Sequence, residues 1–236
     1  MLQRISRPTA PRITAAFLFA ALALALACAP RATVQSAASP VADAAPAAHD
    51  MSSMAGGHAG HTMTGLDAPV TIPPGALYVE ADVRFMQGMI AHHAQAIYMS
   101  RLAEAHRANP RLQRFAIKID QSQTTEIHQM QGWLRANGQF VPDTSSYHTV
   151  MMPGMLTPEQ IAQLDGANGP DFDRAFLVLM IQHHEGALMM VKDLFATPRA
   201  GQDVDVSVFA NDVVAVQTAE IGLMRQMLSS IPQGRP

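Results

Sequence analysis

The sequence predicts an all-α protein: a four-helix bundle made from two duplicated helix pairs, preceded by a disordered tether. Three observations predict it. A block of residues around His92-His93 recurs around His183-His184. A second, shorter block follows each copy in the same order. The apolar residues inside the blocks repeat at helical rather than strand spacing.

Composition narrows the function classes. The 236 residues carry 16 Lys and Arg against 19 Asp and Glu, a net charge of −3, so the basic stripe that nucleic acid requires is missing. One cysteine forms neither an intrachain disulfide nor a paired-cysteine metal site. Charged and aromatic residues are few, yet there are 16 Met and 10 His, and these two residue types are what the sequence must explain.

Residues 1–28 carry Arg4, Arg7 and Arg12, then an apolar run from Ile13 to Ala27. That is the pattern of a secretory signal, and the run is short of the ~20 residues a spanning helix needs. It ends Leu24-Ala25-Leu26-Ala27-Cys28 and so resembles a bacterial lipoprotein signal, with Cys28 lipidated; ordinary cleavage nearby is the alternative. Either way the mature chain leaves the cytoplasm. The first reading makes it periplasmic or envelope-located, held to a bacterial membrane through Cys28. Losing the three arginines raises the acidic excess and gives no reason for attraction to anionic headgroups.

Residues 29–75 are rich in Ala, Pro, Ser and Gly and read as a tether. Within them His49, Met51, Met54, His58, His61 and Met63 are separated by small flexible residues. Short His-rich tracts bind metal, thioethers are soft donors that favour Cu(I), and imidazole suits copper. The tract resembles the Met/His-rich tails of periplasmic copper-handling proteins.

The body, 76–236, holds the repeat. Asp82, Phe85, Met89, Ile90, His92, His93, Ala96 and Met99 reappear as Asp173, Phe176, Met180, Ile181, His183, His184, Ala187 and Met190. Gln123, Glu126, Ile127 and Met130 reappear as Gln217, Glu220, Ile221 and Met224. Two units, about 80–138 and 170–231, are joined by a connector, 139–169. Four long helices are predicted at roughly 80–108, 110–137, 171–196 and 205–230. Asn109-Pro110 supplies an N-cap and a first-turn proline, and Gly138 a C-terminal stop. Thr157 to Gln160 opens a short connector helix with a capping box. The alternating stretch from Asp203 to Val208 looks like a strand, but one strand without a partner yields to the helix that the repeat demands.

Helical spacing puts Phe85, Met89, His92, Ala96 and Met99 on a bundle seam, and their counterparts likewise. Arg84, Gln87, Ala91 and Gln95 form the more polar side of the first helix. His93 and His184 lie about 100° further round, beside apolar residues, so both histidines of each pair lean inward. Glu126, Met130 and Trp133 share a face on the second helix, as do Glu220, Met224 and Met227 on the fourth.

Four buried imidazoles need partners, because an unsatisfied buried polar group costs roughly 1–3 kcal/mol. Metal coordination, or pairing with Glu126 and Glu220, supplies them. Met89 is one turn from His92 and His93, so either pair reaches one ion from one helical face. Met99 is two turns from His92 and cannot share that ion directly. Two small sites per unit, or sites completed by a neighbouring helix, follow. The competing explanation is structural: satisfied core histidines, with Met as adaptable core filler.

The pattern from Asp82 through Phe85, Met89-Ile90, His92-His93, Ala96 and Met99, then Gln123, Glu126-Ile127, Met130 and Trp133-Leu134, resembles the family called domain of unknown function 305. Met152-Pro153-Gly154-Met155-Leu156-Thr157 resembles its connector. The resemblance covers roughly 80–230 and implies a ferritin-like four-helix architecture. It also implies copper or silver binding, since some secreted members are implicated in binding and tolerating those metals. The metal residues it implies are Met89, His92, His93, Met99, Met180, His183, His184 and Met190; Glu126, Met130, Glu220 and Met224 join them from the helical faces. Trp133 is matched by Met227 and His128 by Gly222, so the two units are expected to bind unequally.

The favoured function is an exported envelope protein that sequesters or hands on copper, Cu(I) above Ag(I), with a copper-handling protein as partner. The alternatives are a metal-free structural or interaction protein of the envelope and a di-metal ferritin-like oxidoreductase. The last needs Glu-x-x-His pairs, which the body lacks. No nucleophile elbow and no phosphate loop occurs.

Overall fold

The structure, a computed structural model, describes residues 66–231. The signal-like segment, Cys28 and the tract from His49 to Met63 lie outside the described residues. Within them the chain is all-α: α1 (Glu80–Ala105), α2 (Pro110–Ala136), a 3-10 turn at Thr144–His148, α3 (Pro158–Gly166), α4 (Pro170–Ala196) and α5 (Val204–Ser230). No strand occurs among the described residues.

Local chemistry sets the boundaries. The Asn109 side chain accepts from the backbone N–H groups of Arg111 and Leu112, and Pro110 takes the first position of α2. After α2, Gly138 turns the chain at φ +64°. Thr157 and Gln160 form the capping box of α3. Asp203 caps α5 by accepting from Asp205 and Val206. The strand-like stretch is therefore the first turns of a helix, where Val206 is buried while Val204 and Val208 face solvent. The first helix stops at Ala105 rather than near 108, because Arg107 leaves it at φ 55°.

Two helical hairpins, α1–α2 and α4–α5, pack through α1 and α4. Phe85, Met86 and Met89 of α1 share an apolar cluster with Met190, Val191 and Leu194 of α4. Met99 and Ala103 share a second cluster with Phe172, Phe176 and Met180. The start of α1 thus lies beside the end of α4, so the two helices run antiparallel. The α2 residues Ile127, Met130 and Trp133 belong to the first cluster and their counterparts Ile221, Met224 and Met227 to the second. Asp82 and Asp173 staple the ends. Asp82 accepts from Val79 and from Gly201 in the α4–α5 turn. Asp173 accepts from the backbone and side chain of Asn109 in the α1–α2 turn.

The more polar side of α1 is not turned to solvent: Gln87, Ala91 and Gln95 are all buried. The connector covers them. Gln87 donates to the Phe140 carbonyl, while Gln95 donates to the Leu156 carbonyl and accepts from the Leu156 N–H. Nor is all of 29–75 a free tether: Arg84 donates to the Leu66 and Ala68 carbonyls, Gln139 donates to that of Thr71, and Ala68 is buried. Among the described residues α5 alone is long and apolar enough to cross a membrane, but its apolar residues Val206, Phe209, Ala210 and Val213 are spent on the core.

The connector reaches α4 through two glycines. A Cβ on Gly186 would stand 2.0 Å from the Pro153 carbonyl oxygen, and one on Gly154 would stand 2.6 Å from the Gln182 carbonyl oxygen. Gly186→Ala is therefore expected to destabilise the fold by about 3 kcal/mol or more, since backbone must move to admit the methyl. Gly132→Ala in α2, where nothing lies within 4 Å, should stabilise it by about 0.5–1 kcal/mol. Chemical denaturation of the two variants checks both signs.

Candidate metal centre

Midway along α1 and α4 the two histidine pairs meet. His92, His93, His183 and His184 are all fully buried. The ring centroids of His92 and His183 lie 3.8 Å apart, with the planes tilted by 42°. His93 and His184 point away from this pair toward α2 and α5. His93 Nε2 lies 2.5 Å from Glu126 Oε2, and His184 Nε2 lies 2.8 Å from Glu220 Oε2. His92 Nε2 lies 3.1 Å from the Pro153 carbonyl oxygen.

These contacts set the tautomers. A carboxylate or a carbonyl only accepts, so His92, His93 and His184 each donate from Nε2. In the neutral ring Nδ1 then carries a lone pair. Those three Nδ1 atoms are buried without a hydrogen-bond partner, as are both ring nitrogens of His183. The amides of Gln123 and Gln217, one turn before the glutamates, are buried and unpartnered as well. These two were legible only as matched positions of the repeat, and composition gave no reason to place them beside a site.

Burial, reinforced by His93, pushes the His92 pKa down to about 3. Burial, then the neighbouring His92, holds His183 well below the ordinary imidazole value. Both rings are therefore neutral at physiological pH, and both are competent as donors to a metal.

The thioethers flank this polar layer. Met89, Met130 and Met190 lie in the first cluster; Met99, Met180 and Met224 lie in the second. With Met86 in the first cluster and Met227 in the second, each cluster takes three buried methionines from one half of the chain and one from the other. His93 packs against Phe209 of the first cluster, ring centroids 6.3 Å apart. Glu126 and Glu220 are committed to histidine and stand as groups that orient imidazoles. Among the described residues no three His, Cys, Asp or Glu side chains are arranged to hold one ion. Imidazole together with thioether is a donor set that suits Cu(I) and disfavours hard cations.

A cleft of about 500 Å³ between α2 and α5 leads to two of the sulfurs. It is lined by Met86, Met130, Trp133 and Phe209, with Asp205 and Asp212 among its polar residues. Trp133 donates to Asp203 and meets Tyr78 edge-on at 5.1 Å, so it builds this wall of the bundle.

Burying neutral imidazoles makes the metal-free fold sensitive to acid. Unfolded histidine takes up a proton near pH 6.5, whereas folded His92 and His183 resist it. Their contribution to stability is complete above pH 6.5 and is lost progressively as pH falls below it, for His92 down to about 3. The unfolding free energy of the metal-free chain should drop by about 1 kcal/mol per pH unit for each of these two histidines. Denaturant unfolding between pH 7 and pH 5 measures the slope, and His92→Leu should make it shallower.

A DUF305 protein of Streptomyces coelicolor, described as secreted, is 27% identical with a TM-score of 0.56, over 66% of this chain and 98% of that one. A DUF305 fragment from Deinococcus radiodurans is 26% identical with the same score, over 64% and 97%. CopM in its Cu(I)-bound form is 29% identical with a TM-score of 0.50, over 63% and 95%. CopM is also solved in Cu(II)-bound and silver-bound forms. A comparison with curated proteins gives no match. Residues 82–228, the whole bundle with its histidine layer, match the domain of unknown function 305, and the chain belongs to that family.

Proposed function

We propose that the chain is an exported copper-binding protein of the cell envelope, which holds Cu(I), or Ag(I) in its place, at mixed imidazole–thioether sites and sequesters it or hands it on. One observation carries the reading. Imidazoles in the layer have their Nε2 atoms engaged by Glu126, Glu220 or the Pro153 carbonyl, and their Nδ1 atoms are buried without a partner. Metal-binding histidines are held this way, with the second ring nitrogen donating to a carboxylate or backbone carbonyl that fixes the ring. The copper- and silver-bound forms of CopM, 27–29% identical, support the same metal.

In this reading His93 binds with Met89 and Met130, each one helical turn from it or from its glutamate. His184 binds with Met180 and Met224 in the same relation. Met190 and Met99 close the two groups from the opposite half. The matched halves represent one duplicated helix pair, each copy supplying one site. The tract His49, Met51, Met54, His58, His61 and Met63 adds capture capacity, and lipidation of Cys28 holds the protein at a bacterial membrane, where a copper-handling partner exchanges ions with it.

Competition of the full chain against a Cu(I) chelator tests the proposal. Glu126→Gln and Glu220→Gln should each weaken one site by roughly 10- to 100-fold, because the imidazole loses its anionic partner. Replacing the six tail donors by serine should lower the stoichiometry but leave the bundle sites. Binding should weaken only in part between pH 7 and pH 5, since thioethers need no deprotonation. Unchanged stoichiometry and affinity after alanine replaces all four layer histidines would overturn the reading.

A further inference from the structure

The Met-rich connector is not used by the sites above. Its segment 151–156 lies against both α1 and α4 and is fixed there from three sides. Gln95 clamps the backbone of Leu156. His92 donates to the Pro153 carbonyl. Gly154 lies against Gly186, where neither glycine has room for a side chain. Inside this turn the Met152 N–H points at the sulfur of Met155, 3.3 Å away, which sets the direction in which the Met152 side chain leaves.

That direction is over Gly88. The point where a Cβ would stand on Gly88 is 3.4 Å from the Met152 sulfur, 3.5 Å from its methyl carbon and 3.6 Å from the methyl carbon of Met190. Two thioether ends, one from the connector and one from α4, thus converge over a position of α1 that has no side chain. The matching position in the second half is Leu179, so this convergence belongs to one half only. A cavity of about 230 Å³ opens on the α4 side, lined by Pro153, Met190, Asp193 and Thr197 among others, so that Met190 and an acidic residue share one opening. Met151, the preceding residue, is 59% exposed.

We propose that Met152 and Met190 form an outer thioether site over Gly88 for a soft monovalent d10 cation, reached past Asp193 and continuous through Met190 with the interior cluster of Met89 and Met130. The identity of the ion rests on the function proposed above; the location rests on the connector geometry alone. The pairing is chemically apt. Thioethers bind such ions without losing a proton, and a neighbouring carboxylate raises the local cation concentration without competing for a soft ion. Met155 is a positioning residue here, because its sulfur holds the turn that aims Met152. Met190 serves both environments, so an ion loaded at the outer site has a donor in common with the interior one.

The test uses the full chain with its methionine methyl groups carbon-13 labelled, titrated with silver nitrate and followed by NMR. The ε-methyl signals of Met152 and Met190 are expected to shift together as silver is added. In Met152→Leu, which keeps the volume, the Met190 shift should fall to the part that the interior group contributes, while Met89 and Met130 respond as before. Gly88→Ala is the sharper variant. Its methyl makes ordinary contacts with both thioether ends and occupies the space between them, so the site should be lost while the folded spectrum is retained. If Met190 responds unchanged in both variants, or if neither signal moves while interior methionines shift, the outer site is wrong and the copper reading stands. If no methionine from 76 onward responds, the copper reading of the bundle fails along with it.

Discussion

Everything in the bundle is arranged around four imidazoles buried in one layer. His92 and His183 approach to 3.8 Å between centroids, a separation that two imidazolium rings in a dry core could not sustain. They must stay neutral, and a neutral buried imidazole still has one donor and one acceptor to satisfy. The surrounding elements supply the acceptors: a carboxylate from α2, a carboxylate from α5 and a connector carbonyl. They supply almost nothing for the lone pairs. A core built only for stability would fill these positions with apolar side chains, because each unpaired polar atom costs roughly 1–3 kcal/mol. The layer therefore costs the fold stability in the absence of a ligand, and a ligand that accepts lone pairs recovers it.

The connector breaks the equivalence of the two halves. At one position of the repeat the first copy has Gln95 and the second Gly186. Gln95 grips the connector backbone with two hydrogen bonds, while Gly186 lets the same backbone lie directly on α4. The result is a strap across the α1–α4 face, held by a polar clamp on one side and by close backbone contact on the other. It also gives His92 a hydrogen-bond partner that its counterpart lacks, since neither ring nitrogen of His183 has one. Two imidazoles that look identical in the sequence thus sit in different environments. That difference, together with Trp133 in place of Met227, gives a physical basis for unequal sites.

Much of the fold was legible because its signals are local. Asn109-Pro110, Thr157 to Gln160 and Gly138 mark helix ends through their own backbone chemistry, so the predicted ends fell within a few residues of those found. Repetition decided the one ambiguous stretch, Asp203 to Val208. The inward histidines were legible from spacing, and so was the nearness of Glu126 and Glu220. The burial of Gln87 and Gln95 was not, because the groups that cover them come from 53 and 61 residues away. Amphipathic spacing sees one helix and not what a loop lays over it. Met152 was visible as part of a Met-rich connector, but its convergence with Met190 depends on the absence of a side chain at Gly88 and the crossing at Gly186. Both are tertiary facts.

The segregation of donors has a consequence for how an ion would travel. Nitrogen donors occupy the middle of the bundle and are sealed from solvent, while sulfur donors lie on either side. Thioether residues also line two openings of the bundle, Met86 and Met130 in the α2–α5 cleft and Met190 in the cavity that includes Asp193. In the proposed reading an arriving soft ion meets thioethers before imidazoles. Thioethers bind it at any pH the fold survives, because they carry no proton to lose. The imidazoles then add a stronger donor whose availability the protein itself protects, since burial keeps His92 and His183 deprotonated well below the pH at which free histidine would charge. Among the described residues no three His, Cys, Asp or Glu side chains are arranged to hold a hard cation. In the proposed reading, selection for a soft ion therefore lies in the order in which donors are met as well as in the donors themselves.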